Sequence, residues 1–243
     1  GITTYSFLWE PVLSELTDYA ALAIDLPGCG QSTLSIEHPY SIRQHTDTMI
    51  ELLDLLDVPA VHWVGHDIGG GILQRLAVLH PERIRSLTLI NPIGFDYWPV
   101  QPIKSLQAPV IRQLLMGALD TSLYTFIIRR GFFDSNLLTD DLMEKFRQPL
   151  LTAEGRKAFL HFAQCLDNQE LMDIAPRLPE YTKPALLIRG DADVYLTATI
   201  IDRLHDCWPQ SRLIRIVDGG HFLPLEKPEI IAKGIGELMN HDT

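Results

Sequence analysis

Residues 61–71 read VHWVGHDIGGG and carry the clearest chemical potential in the chain. A short apolar run, Val61 to Val64, meets Gly65-His66-Asp67-Ile68-Gly69-Gly70, after which the pattern becomes helical. Glycines two residues to either side of Asp67 give the spacing Gly-x-nucleophile-x-Gly of a tight strand-to-helix elbow, where small neighbours let the central side chain project above a sheet. A carboxylate there lies over a helix N-terminus, whose dipole and free N–H groups favour the charged form. Because the ordinary pKa of an aspartate is near ~4, it is an anion at neutral pH and can attack a saturated carbon bearing a leaving group without a base to activate it. The product is an alkyl ester on Asp67. Attack on an ester would give a mixed anhydride instead, so carbon–halogen and epoxide carbon–oxygen bonds suit this nucleophile better. Taken alone, Asp67 is equally well explained as a helix N-cap.

An elbow needs a sheet to end in it. Tyr19 to Ile24 (YAALAI) reads as a strand, Ser41 to Leu56 as a helix, Val61 to Val64 as the elbow strand and Gly69 to Leu79 as its helix. Ile84 to Ile90 (IRSLTLI) is a third strand, stopped by Asn91 and Pro92. The rhythm then breaks. From about Gly94 to Thr182 the chain is rich in Leu, Phe and Tyr at helical spacing, with breaks expected at Gly117, Gly131, Pro149 and Gly155. Alternation resumes with Ala185 to Ile188 (ALLI), a helix over 198–207, a strand at Arg212 to Val217 and a last helix over 228–239. Strands alternating with helices imply right-handed crossovers and an α/β fold with a mostly parallel sheet flanked by helices. The expected organisation is one core, residues 1–93 and 183–243, with a helical cap inserted over 94–182. The chain opens at Gly1 on a loop and helix, ITTYSFLWEPVLSEL, so the first strand would already lie inside a sheet. An exposed internal edge is a liability, and further N-terminal strands are expected outside this sequence.

Composition narrows the function. With 243 residues the chain suits one large core rather than two independent ones. A formal charge of -11 would repel a phosphate backbone, which argues against nucleic acid. No apolar run is long enough for a bilayer and none reads as a signal peptide, so no membrane partner and a cytoplasmic protein are expected. Cys29, Cys165 and Cys207 lack paired spacing, which argues against a disulfide framework or a structural zinc site.

From Phe7 onward the sequence resembles the α/β-hydrolase superfamily, and its G-H-D-x-G-G elbow is similar to the branch with an aspartate nucleophile, which holds epoxide hydrolases and haloalkane or haloacetate dehalogenases. Ile24-Asp25-Leu26-Pro27-Gly28-Cys29-Gly30-Gln31-Ser32 is similar to that family's D-x-x-G-x-G-x-S loop, and the run Ala77 to Leu89, with His80-Pro81-Glu82-Arg83, adds to the likeness. The resemblance implies a relay in the order nucleophile, acid, histidine. Asp193, three residues after Gly190, stands where the family has its acid, ahead of Asp191. His221, in Gly219-Gly220-His221-Phe222, stands where it has its base. Some dehalogenases carry the acid just after the strand that precedes the cap; here that place holds Asn91, an amide. The backbone N–H of Ile68 is expected to receive the oxyanion, and the resemblance to an H-G-x loop adds that of Ile2, with Gly1 as the loop glycine.

The resemblance further implies a small apolar substrate, water as co-substrate and neither cofactor nor metal. His66, Phe95, Tyr97, Trp98, Tyr124 and Phe222 are the expected substrate-binding residues, His66 being held by packing or hydrogen bonds. Tyr97, Tyr124 and Tyr181 are candidates to protonate an epoxide oxygen. Ile68 follows the nucleophile where halide-releasing relatives carry a tryptophan or an arginine, which weighs against halide and favours an epoxide. Three alternatives stay open: non-hydrolytic acid/base chemistry such as cyclisation, rearrangement or elimination; ligand binding or a silent scaffold; and a haloalkane dehalogenase or esterase-like hydrolase. A homodimer also stays open.

Overall fold

The computed structural model of the protein describes residues 1–101, 103–108 and 122–240. Among them, one parallel sheet holds β1 (Val61–Asp67), β2 (Ile84–Pro92), β3 (Ala185–Gly190) and β4 (Arg212–Ile216), side by side in chain order. The helices are α1 (Glu10–Glu15), α2 (Ile42–Leu55), α3 (Ile68–Leu79), α4 (Ile103–Leu106), α5 (Ser122–Arg130), α6 (Asp140–Arg147), α7 (Ala153–Cys165), α8 (Gln169–Met172), α9 (Ala198–Cys207), α10 (Leu223–Glu226) and α11 (Pro228–Asn240).

β2 and β3 are buried along nearly their whole length, Arg85 excepted, as strands covered on both faces are. Successive side chains part to opposite faces. Leu87, Leu89 and Leu187 share a core with Met49 of α2, Leu76 of α3 and Ile201 of α9, whereas Ile90, Leu186 and Ile188 join Ile231 and Ile235 of α11. Ser41 opens α2 by accepting the Gln44 N–H at 3.2 Å, and Ile42, Thr46, Met49 and Leu53, spaced three or four apart, bury one face of it. The turn from β1 into α3 is tight because Gly65 has no side chain: a Cβ there would lie 2.7 Å from the Gly69 backbone.

Two expectations need correction. Tyr19 to Ile24 forms no strand, and Leu22 is 68% exposed. A strand needs a ladder partner, and among the described residues β1 pairs only with β2, so this apolar run finds none. Gly155 does not interrupt a helix either. It sits in the first turn of α7, where its N–H donates to Thr152 Oγ1 at 2.9 Å, a cap bond that starts the helix. Gly131 does end α5, and Pro149 falls in the 3-10 turn between α6 and α7. Gly117 lies outside the described residues.

Between β2 and β3 the described residues form helices and no strand. These helices gather Tyr124, Ile128, Phe146, Phe159 and Ala163 into a small core of their own, which Phe7, Leu8 and Phe222 join from the sheet side.

Candidate active site

Asp67 ends β1 at φ 52° and ψ −115°, a conformation that costs a non-glycine residue about 1–3 kcal/mol. Such strain persists only where the surroundings impose it, and here the strand and α3 do. Among the described residues the carboxylate caps no N–H of α3, which removes the helix-cap explanation. The side chain instead borders an open cavity whose wall also holds Tyr124, Tyr195 and Phe222. Gly1 packs so close that a Cβ on it would lie 2.4 Å from Asp67 Oδ2.

His221 lines the same cavity. Its Nδ1 lies 3.0 Å from Asp193 Oδ2, and since a carboxylate only accepts, Nδ1 carries the proton and Nε2 is left as the base. The backbone of His221 is pinned from both sides. Its N–H donates to Gly131 O at 2.6 Å, and its carbonyl accepts from His66 Nε2 at 2.7 Å and from Asn91 Nδ2 at 3.1 Å. Burial disfavours the imidazolium most, but the charge and hydrogen bond of Asp193, together with the charge of Asp67, outweigh it and raise the His221 pKa above the ordinary value.

Asp193 is buried and fully satisfied. Oδ1 accepts the backbone N–H groups of Tyr195 and Leu196 at 2.8 and 3.2 Å, while Oδ2 faces His221 and, at 3.3 Å, Arg189 Nη1. Burial works against its ionisation most strongly. The charge and hydrogen bond of His221, the Arg189 guanidinium and the Tyr195 N–H together overcome that and hold the carboxyl below its usual range. Arg189 also donates to Leu196 O at 2.6 Å, so one buried cation fixes both the acid and its loop.

The expected residues divide clearly. Asp67, His221, Ile2, Tyr124 and Phe222 meet at the cavity, with Asp193 behind His221. The Ile68 side chain is buried in the core, and its N–H belongs to the first residue of α3. His66, Phe95, Tyr97 and Trp98 do not line the cavity. His66 is buried behind the His221 loop, and burial and the charge of His221 hold its pKa well below the ordinary value; it serves as a neutral hydrogen-bond donor. Phe95 lies under the Arg203 guanidinium, 3.8 Å from ring centre to Cζ. Trp98 packs in the main core and Tyr97 is 39% exposed. Of the tyrosines considered as proton donors, Tyr181 is spent on Pro184 O at 3.2 Å, and Tyr124 reaches the cavity but donates to Phe146 O at 3.1 Å.

Four contributors escape the sequence reading. Tyr195 lines the cavity, its ring edge-on to His221 at 5.3 Å and its hydroxyl donating to Ile127 O. Burial pushes its pKa up to about 12. Gln101 stands at the wall among aliphatic neighbours. Asn91, noted above only for not being a carboxylate, donates to Gly220 O and His221 O and accepts Gly190 N–H at 2.9 Å, so it ties the ends of β2 and β3 to the histidine loop. Arg189 had a readable signal: a cation inside the otherwise apolar strand ALLIRG requires a buried anion.

The profile of the alpha/beta hydrolase fold family matches residues 1–228. Haloalkane dehalogenase 2 of Mycobacterium tuberculosis is 27% identical over 98% of this chain and 85% of its own length. The uncharacterized hydrolase YugF of Bacillus subtilis is 26% identical over 98% and 87%. Among solved structures, an alpha/beta hydrolase fold protein from Burkholderia ambifaria superposes with a TM-score of 0.86 at 22% identity over 96% of this chain and 86% of that one. The haloalkane dehalogenase DbeA from Bradyrhizobium elkani gives 0.82 at 20% identity over 99% and 89%. The chain belongs to the α/β-hydrolase fold family, and its class is hydrolase.

Proposed function

We propose that the protein hydrolyses a small, neutral, apolar electrophile, an epoxide before an alkyl halide, through an alkyl ester on Asp67. The observation that carries this reading is the strained Asp67 carboxylate, uncommitted to α3, on the wall of a mostly aliphatic and aromatic cavity that also holds the His221–Asp193 pair. An Asp67 oxygen bonds to the substrate carbon as the carbon–oxygen bond of the epoxide breaks, and the released alkoxide takes a proton from water at the cavity mouth, a proton that the Asp67 carboxylic acid gives back once the ester is cleaved. His221 Nε2 then takes a proton from water, and the resulting hydroxide adds to the Asp67 carboxyl carbon. The N–H groups of Ile68 and Ile2 receive the oxyanion. Collapse expels the alcohol, which regains the proton from His221. The sum is epoxide plus water to diol.

The walls support a neutral substrate. Among the described lining residues there is no lysine or arginine, so a substrate carboxylate would sit beside Asp67 without compensation, which opposes haloacetates. Single turnover in heavy-oxygen water tests the covalent route. Wild type acting on 1,2-epoxyhexane should carry the label in Asp67, and His221→Gln should accumulate the ester instead. Turnover that leaves Asp67 unlabelled would refute it.

A second reading keeps the pair and drops water: Asp67 and His221 act as acid and base in a rearrangement or cyclisation. It is favoured by the two tyrosine hydroxyls on the wall, both of which donate to backbone carbonyls and leave no ready acid for a departing oxygen. A product free of water-derived oxygen would select it.

A further inference from the structure

The loop that carries His221 meets the turn after α5 through a carboxylate that takes no part in the chemistry above. Glu226, the last residue of α10, accepts the Gly220 N–H on Oε2 at 2.8 Å and the Phe133 N–H on Oε1 at 2.6 Å. One donor belongs to the residue before the histidine. The other belongs to the turn that follows α5, whose Tyr124, Ile127 and Ile128 form part of the cavity wall. A third bond closes the same seam, from His221 N–H to Gly131 O at 2.6 Å. The two backbones approach so closely that a Cβ on Gly220 would lie 2.4 Å from Gly131 O and 2.7 Å from the Phe133 nitrogen. Lys227, next in sequence, pairs with Asp218 at 2.5 Å, so both Glu226 oxygens remain given to backbone donors. Burial holds the Glu226 carboxyl above the usual carboxylate range, against the pull of its N–H donors.

We propose that Glu226 is a positioning residue for His221, joining the histidine loop to the α5 turn so that the imidazole and the cavity wall move as one unit. A helical wall that shifts to admit substrate then carries the base with it, and the base reaches its working place only when the wall is seated. The proposal draws its meaning in turnover from the reading of His221 as the water-activating base. Its test needs no substrate, so the failure of one is distinguishable from the failure of the other.

Glu226→Gln preserves size but sets an amide against one of the two N–H donors. Amide hydrogen exchange at Gly220, His221 and Phe133 should quicken by on the order of tenfold. The His221 imidazole, followed by NMR, should titrate at lower pH as its contact with Asp193 loosens. The other groups facing the ring, Asp67, His66 and Tyr195, are the same in both proteins. Glu226→Asp keeps two acceptor oxygens on a shorter arm and should fall between, and it supplies the same two readouts if the glutamine variant does not fold. Unchanged exchange at the three amides would overturn the proposal. So would faster exchange with an unmoved His221 titration, which is what a merely structural tie would give.

Discussion

Two buried histidines in different regions of the molecule meet opposite fates. At the C-terminal ends of the strands His221 has a partner on each side: Asp193 on Nδ1, Gly131 O on its N–H, and His66 and Asn91 on its carbonyl. Where α2 meets α7, His45 is also buried, stacked on Tyr40 with Phe162 tilted against it, and neither of its ring nitrogens has a partner among the described residues. Burial pushes both rings toward neutrality. For His45 nothing opposes it and the pKa falls to about 4, whereas for His221 Asp193 and Asp67 reverse the sign. Burial therefore makes a histidine inert by default, and a facing carboxylate turns it into a base that titrates where water chemistry needs one.

Asp193→Asn breaks this comparison most severely. It removes the charge that raises the His221 pKa and leaves the buried Arg189 guanidinium without a carboxylate. Removing one partner of a buried pair costs about 3–5 kcal/mol, which denaturant titration would read. The activity profile gives the sign independently. A general base works when neutral, so wild-type turnover should rise with pH through a midpoint above the ordinary histidine value of 6.5. In Asp193→Asn the maximal rate should fall while that midpoint moves to lower pH, toward the behaviour of His45. A variant whose His221 titrates as in wild type would show that the carboxylate is not what separates the two histidines.

His45 sharpens the other half of the comparison. Its folded pKa, about 4, lies below the ordinary 6.5 of an unfolded histidine, so its stabilising share is complete above pH 6.5 and is lost as pH falls toward 4. Between pH 7 and pH 5 that loss is about 2 kcal/mol. Denaturant titrations of wild type and His45→Phe at both pH values should show the wild type losing about that much more than the variant. Equal losses would mean that His45 already has a partner, and that the contrast with His221 is smaller than the geometry implies.

The sheet was legible because β2, β3 and their neighbours are apolar runs punctuated by Asn91-Pro92 and Gly190-Asp191, and because local pattern and tertiary burial agree there. The elbow was legible because the glycines around Asp67 leave few alternatives to a tight turn. Tyr19 to Ile24 misled for the opposite reason: its pattern is that of a strand, but a strand exists only with a partner, and pattern does not report partners. The aromatic residues of 95–98 misled in the same way. Phe95 and Trp98 are apolar and close in sequence to β2, yet which apolar residue faces a cavity and which packs in a core depends on the path of the loop. Asn91 and Glu226 stayed invisible as braces because their partners are backbone groups, most of them far away in sequence, which leave no mark in the sequence.

Tyr124 separates wall from chemistry, and its effect should be the smallest. Its hydroxyl donates to Phe146 O at 3.1 Å inside the core of the helical segment, and burial raises its pKa. A neutral hydrogen bond of this kind is worth about 1 kcal/mol. Tyr124→Phe should therefore cost about that much stability and leave the rate of label uptake into Asp67 within about twofold of wild type. If the rate instead falls by roughly a hundredfold, the size of a lost general acid, the hydroxyl must leave Phe146 O during the reaction and serve the departing oxygen. A side-chain proton donor for the epoxide oxygen would then be found on the wall in place of water, and the non-hydrolytic reading would lose the observation that favours it.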